Sequence, residues 1–367
     1  MFRRLIFAVF VFITLSGLFI PPAQAAGFYG LLRARDMSPF GFLRLDMRPA
    51  HAVSIEPGTW AVETEFNYQN SWALSPNVEN YLNGLEAGGR RRLGPEDLAA
   101  IRDLPGENYL VDLEMSTLEV TAHYKFTDHV AGYVIASAVS YGGGFMDHGI
   151  EEFHDAFGFS TFGRPAVARN DVNLIYDLKS TSVAYLGHSP RDRGLLDPVV
   201  GVRYAGPRLG DRWHVVLEGA AKVAVAGRRD LLSTGRTDVG AQAALMYLGN
   251  RHAFFTDVSA VYYAGGDFPV RQRSQVVPTL LLGYEYALSA NTHLNVQGYV
   301  SPSVYTHRET DLPDLLANKY QVTAGFRHRI ENFLVTFGVT ENLQNLNNTP
   351  DIGFQLGVAW VPKVIGR

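Results

Sequence analysis

The chain has no cysteine among its 367 residues, so neither a disulfide framework nor a thiolate metal site is available to it. After the N-terminal leader no apolar run approaches the roughly 20 residues that a spanning helix needs. Charge of one sign is also scarce. The net charge is −4, and the only basic cluster is Arg90-Arg91-Arg92. Phosphate recognition needs a concentrated positive surface, so nucleic acid is not an expected partner. No His-Glu-x-x-His pair and no nucleophile elbow occurs, and neither a metal nor a cofactor is expected.

What is present begins with a leader. Arg3 and Arg4 precede a stretch from Leu5 to Ile20 that only Thr14, Ser16 and Gly17 interrupt; Pro21-Pro22 then breaks any helix, and Ala23-Gln24-Ala25 supplies small residues at a cleavage site. This order favours a signal peptide, residues 1–25, over a membrane anchor. An exported chain without a spanning helix can still cross a membrane with strands of only ~9–11 residues each. A mean hydropathy of −0.02 fits such a wall, because half of each strand faces a polar interior.

Alternation dominates after residue 57. Trp60, Val62, Thr64, Phe66 and Tyr68 share one face of a first strand, with Ala61, Glu63, Glu65 and Asn67 on the other. Leu118, Val120, Ala122, Tyr124 and Phe126 alternate with Glu119, Thr121, His123 and Lys125. Just upstream, Val111, Leu113 and Met115 alternate with Asp112 and Glu114 in the opposite phase, and a β-bulge near Ser116-Thr117 would reconcile the two. Further strands are expected over 130–141, 197–206, 213–225, 237–248, 253–263, 275–286, 293–305, 319–329, 333–342 and 351–361, giving about twelve. The connections sort by length. Short ones near 127–129, 206–212, 249–252, 288–292 and 329–332 alternate with long ones near 70–108, 142–196, 226–236, 264–274, 302–318 and 343–350. A soluble sandwich has no reason for this sorting, whereas an outer-membrane barrel has tight periplasmic turns and long extracellular loops. The expected fold is therefore all-β, a transmembrane antiparallel β-barrel of about twelve strands over residues 58–367, with short helices in the extracellular loops and both termini periplasmic. Aromatics such as Trp60, Tyr124, Tyr204, Trp213, Tyr247, Tyr262, Tyr284 and Trp360 fall near strand ends, where interfacial girdles would use them. Gln355-Leu-Gly-Val-Ala-Trp360 resembles a closing strand of the kind the barrel-assembly machinery reads.

Three segments together resemble one family: residues 35–51, with Arg35, Asp36, Pro39, Arg44, Asp46, Arg48 and His51; the loop with Gly142-Gly-Gly144, Asp147, Ile150, Phe153-His154 and Phe157-Gly158; and the strand carrying Asp112 and Glu114. They resemble an uncharacterised family of proteobacterial outer-membrane barrels, a domain of unknown function. The resemblance implies a barrel in the outer membrane, with outer-membrane lipids as neighbours, and carries no activity.

Chemistry would lie where alternation stops. Residues 26–57 interleave Arg33, Arg35, Arg44 and Arg48 with Asp36 and Asp46. They form either a solvated periplasmic tail or a plug whose arginines pair with lumen carboxylates, and confinement strengthens such pairing. Gly94-Pro-Glu-Asp-Leu-Ala-Ala-Ile-Arg102 carries the signals of a short helix. In the second long loop, residues 147–157 read as an amphipathic helix with Ile150, Phe153 and Phe157 in a stripe. Asp147, Glu151 and Asp155 stand near His148 and His154, and a His–carboxylate base can be drawn there. The competing reading packs the stripe into the barrel mouth and constricts it. Lumen-lining positions are expected at Glu63, Glu65, Asp112, Glu114, Glu119, Lys125, Arg203, Glu218, Lys222 and Arg327, with Asp257 and Glu285 beside them. The leading functional expectation is a channel or uptake protein for a small solute, gated by inward-folded loops. An outer-membrane lipid or lipopolysaccharide hydrolase and a structural or adhesive surface protein are the alternatives.

Overall fold

A computed structural model describes residues 27–362, apart from 37, 39–40, 51–54, 180, 226–230, 267–270 and 344–347. The expected leader, residues 1–25, lies outside the described residues. The strands in chain order are β1 (Trp60–Leu74), β2 (Asn108–Lys125), β3 (Val130–Gly142), β4 (Asn173–Leu178), β5 (Thr181–Leu186), β6 (Arg193–Leu195), β7 (Val199–Ala205), β8 (Trp213–Lys222), β9 (Asp238–Leu248), β10 (His252–Tyr263), β11 (Gln275–Ala287), β12 (Thr292–Ser301), β13 (Lys319–Ile330), β14 (Phe333–Asn342) and β15 (Ile352–Trp360). Twelve of them form a closed antiparallel barrel, in which β1 pairs with β15 from Val62 opposite Trp360 to Asn70 opposite Ile352. β4 to β6 stand outside this ring: β4 extends β2, β5 pairs with β4, and β6 adds to β3.

Period-two alternation sets the two faces. In β10, Phe254, Val258 and Tyr262 are exposed while Phe255, Asp257, Ser259 and Val261 are buried. The outward face is thus apolar and open, and the inward face is largely polar and covered. Connections are short at one end (126–129, 206–212, 249–251, 288–291, 331–332) and long at the other, as the sequence predicts. These are called the turn end and the loop end. Among the described residues no helix is long and apolar enough to cross a membrane.

β1 and β2 rise beyond the other strands at the loop end, and here the structure corrects the sequence. Their register runs unbroken from Trp60 opposite Tyr124 to Leu74 opposite Leu110, so the bulge expected at Ser116-Thr117 is absent. The phase switch has another cause. Outward-pointing Trp72, Leu74 and Leu110 are covered by helices α1 (Pro76–Leu85) and α2 (Pro95–Arg102) through Val78, Leu82 and Ile101. Inward-pointing Tyr109, Val111, Leu113 and Met115 are buried in the mouth. A hairpin covered on both faces is apolar in both phases.

α2 starts on Gly94, whose N–H donates to Asp97 at 2.7 Å; Asp97 also accepts from Tyr81 at 2.7 Å and from both terminal nitrogens of Arg91 at 2.6 Å. Burial opposes ionisation of Asp97, but Arg91 and these donors outweigh it and hold the carboxyl down at about 2. A depressed carboxyl stabilises above its unfolded value, and that support is lost as pH falls. The α1–α2 layer should therefore keep its protease resistance at pH 4 and lose it as pH approaches 2, whereas Asp97→Asn should lose it at neutral pH.

Candidate functional site: the filled lumen and its mouth

The described residues between 27 and 50, all but 37, 39 and 40, lie inside the barrel. The segment enters at the turn end, where Tyr29 stacks on His293 with ring centres 4.2 Å apart and its hydroxyl donates to the Ala290 carbonyl at 3.1 Å. Glu285 accepts the N–H groups of Tyr29 at 2.8 Å and Gly30 at 2.9 Å, and Arg327 donates to the Tyr29 carbonyl at 2.7 Å. The chain climbs past mid-height to a turn over residues 41–44 at the loop end. There Lys222 donates to the Leu43 carbonyl at 2.8 Å, and Lys319 binds Asp36 at 2.8 Å and Ser38 at 2.7 Å. It then descends. Leu45 N–H donates to Asp238, the Arg48 carbonyl accepts from Gln242, and Ala50 N–H donates to Asp257. By Gly58, whose N–H donates to the Lys125 carbonyl at 2.7 Å, the chain is back at the turn end.

Charge pairing fixes the two limbs. Arg33 meets Glu63 at 3.2 Å, and Arg35 meets Glu119 at 2.8 Å. Arg48 bridges Glu65 at 3.1 Å and Glu119, and Glu65 also accepts from Gln355 at 2.7 Å. Arg44 ties Asp36 and Asp46 together within the turn and donates to Tyr299. The expected insert residues thus fall into two clusters: Arg35 and Arg48 with Glu65 and Glu119, and Asp36, Arg44 and Asp46 with Lys319 and Tyr299, while Glu63 pairs separately with Arg33. Farther round the wall, on β7, β8 and β9, Arg203 pairs with Glu218 at 2.7 Å, and Lys222 with Asp238 at 3.0 Å. Lys125 lies on the inward phase at the turn end and is half-buried.

Two residues require correction. Asp112 and Glu114 do not line the lumen, because in an unbroken β2 they lie on the face opposite Glu119. Asp112 accepts from Asn173 at 2.8 Å, and Glu114 accepts from Tyr68 and from the N–H groups of Phe145 and Met146. They anchor the second long loop to the outside of the wall.

Shape matches charge. The insert presses Leu31 toward Gly283, where an added Cβ would stand 2.3 Å from a Leu31 methyl, and Met47 toward Gly240, where it would stand 2.9 Å from the sulfur. Both glycines point inward, and the wall is pitted where the insert needs space. A cavity of about 30 Å³ between Arg35, Arg48, Asp46, Glu119 and Lys222 is water-sized.

The mouth is closed by apolar side chains. Tyr109, Val111, Leu113, Tyr141, Leu174 and Tyr176 pack with Phe42 from the insert and with Val304, Tyr305 and Leu315 from the loop 302–318, which carries the one-turn helix α4 (Pro313–Leu316). Sequence reasoning did not place this cluster. Its signal was the inward apolar phase of residues 109–115, read instead as a bulge.

Helix α3 (Asp147–Phe157) forms where expected, but not in the mouth. Ile150 is buried, while Phe153 and Phe157 are exposed on the outside of the barrel. Asp147 binds Arg164 at 3.0 Å and accepts from Asn170 N–H at 2.8 Å; Glu151 binds Arg90 at 2.7 Å and Arg169 at 2.5 Å. His148 faces Glu152 at 3.3 Å on the exposed side, His154 contacts the Ser160 carbonyl at 2.7 Å, and Asp155 is exposed. The drawn base is therefore not assembled: Asp147 and Glu151 turn to arginines, and neither histidine meets them.

A family model described as a protein of unknown function (DUF3187) matches residues 8–360. No curated protein matches the chain. Among solved structures, an outer membrane channel from Pseudomonas putida F1 aligns at 10% identity and a TM-score of 0.51, over 86% of this chain and 99% of that one. The NanC porin aligns at 8% identity and a TM-score of 0.41, over 82% of this chain and 99% of its own. These likenesses are of fold.

Proposed function

The chain belongs to the DUF3187 family, whose description assigns no activity, and from that premise we propose that it is a gated channel for a small polar solute in the bacterial outer membrane. The observation that carries this reading is a polar-walled barrel whose lumen is filled by residues that precede β1 and are held by ion pairs and hydrogen bonds, not by strand pairing. The loop end faces the exterior and the turn end the periplasm, and membrane lipid surrounds the apolar outward face. The insert of residues 27–50 is the closure, and its Phe42 also holds together the apolar cluster at the mouth. Twelve strands enclose more than the side-chain-filled interior of eight, so displacing the insert opens an aqueous passage.

The protein as exported, folded into planar bilayers, should give brief conductance steps, each marking displacement of the insert. The absence of native cysteine allows a clean lock, Leu31→Cys with Gly283→Cys, whose side chains meet inside the barrel. Oxidation of that pair should abolish the steps and reduction should restore them. Steps that persist with the crosslink complete would remove the insert from the gate. A folded protein silent with its insert, without it, and without it when Tyr176→Ala also opens the mouth would overturn the channel reading itself.

A further inference from the structure

We infer that helix α3 and the turn after it form a lipid-dipping element, with Phe145, Phe153, Phe157 and Phe159 inserted among the acyl chains beside the barrel. The inference rests on the membrane reading above and adds a second, non-barrel contact with the bilayer. Phe145 is 71% exposed, Phe153 51%, and Phe157 and Phe159 46% each. Their rings cluster, with Phe153 and Phe157 at 4.7 Å, Phe153 and Phe159 at 5.9 Å and Phe157 and Phe159 at 6.2 Å. An apolar cluster this exposed marks contact with an apolar phase or a partner.

Continuity with the outward face of the barrel identifies that phase. Going up β1, the outward residues are Trp60, Val62, Phe66 and Tyr68, and Phe145 stacks on Tyr68 with ring centres 5.0 Å apart. Above Tyr68 the wall is no longer bare. Asn70 binds Asp147 and Arg164, Trp72 donates to the Phe162 carbonyl at 2.9 Å, and Arg164 lies 4.8 Å over the Trp72 ring. The loop is thus clamped to the outside of the wall where its apolar band ends, at the level of an aromatic girdle. α3 is built for that position. Ile150 and Glu151 face the protein, Phe153 and Phe157 flank them, and Asp155 lies about 200° around the helix from Phe153. A strongly amphipathic helix with aromatics on one side and charge on the other lies in the interface plane.

The test uses single-cysteine variants of the exported protein, spin-labelled, one copy per nanodisc of phosphatidylethanolamine and phosphatidylglycerol. Labels at Phe153→Cys and Phe157→Cys should relax with oxygen and lose relaxation by a water-soluble nickel chelate, as a label at outward Val258→Cys should. A label at Asp155→Cys should respond to nickel. Nickel access at Phe153→Cys and Phe157→Cys matching that at Asp155→Cys would overturn the inference, and so would exclusion of both reagents, which marks a protein contact. A nickel-exposed Val258→Cys would instead overturn the membrane reading.

Discussion

Deletion of residues 28–50 is expected to convert brief conductance steps into long-lived open ones, with mean current raised by about an order of magnitude, as a barrel of this size relieved of its insert should conduct. The insert supplies Arg33, Arg35 and Arg48 to Glu63, Glu65 and Glu119, and without it these carboxylates face a water-filled lumen. The opened channel should therefore prefer cations. The wall should persist, because all twelve strand pairings lie outside the deleted segment. Unchanged current from a heat-resistant, folded deletion variant would place the barrier in the mouth cluster alone. Current appearing only when Tyr176→Ala or Tyr305→Ala is added would establish two closures in series.

The second large effect is expected from one residue. Arg48→Met leaves Glu65 buried without its cation, retaining only the neutral Gln355 amide. Removing one member of a buried pair costs about 3–5 kcal/mol, which shifts the docked-to-released ratio on the order of a hundred-fold or more. Open time should rise accordingly, and proteolysis of the segment from the periplasmic side should accelerate. Adding Glu65→Gln to Arg48→Met removes the stranded charge and should recover most of the docking, because a neutral replacement of a buried pair is often tolerated. No recovery in the double variant would mean that Arg48 acts through shape and not through charge. Arg35→Met should have the smaller effect, since Glu119 keeps Arg48.

Much of the fold could be read in the sequence because a membrane barrel writes its two solvents into alternate residues. The wall strands, their number, the sorting of connections by length and the span of α3 all follow from period and punctuation. The segment before β1 showed in the sequence only as Arg33, Arg35, Arg44 and Arg48 interleaved with Asp36 and Asp46, a pattern that fits a periplasmic tail as well as a plug. What period cannot reveal is which phase faces which medium when both faces are covered. Val111 and Leu113 face inward, and Trp72 and Leu74 face outward, yet all are equally apolar. The same blindness hid β4, whose Leu174 and Tyr176 face one core and Ile175 the other, and β5, whose Tyr185 packs on the first and Ala184 and Leu186 on the second. For α3 the stripe was correct, but its destination depended on Arg164 and Asn70, a contact 94 residues apart.

The path of the insert has a topological consequence. It enters and leaves through the same opening, so it is a slack loop laid into a closed ring and not a strand threaded through it. Tyr29 reaches Arg327 over a separation of 298 residues, as far along the chain as Val62 is from the Trp360 it meets in closing the ring, so docking and ring closure are both long-range events. A tension applied to residue 27 from the turn end would peel Tyr29 and Leu31 first and Arg48 last, unlocking the ring from one side only.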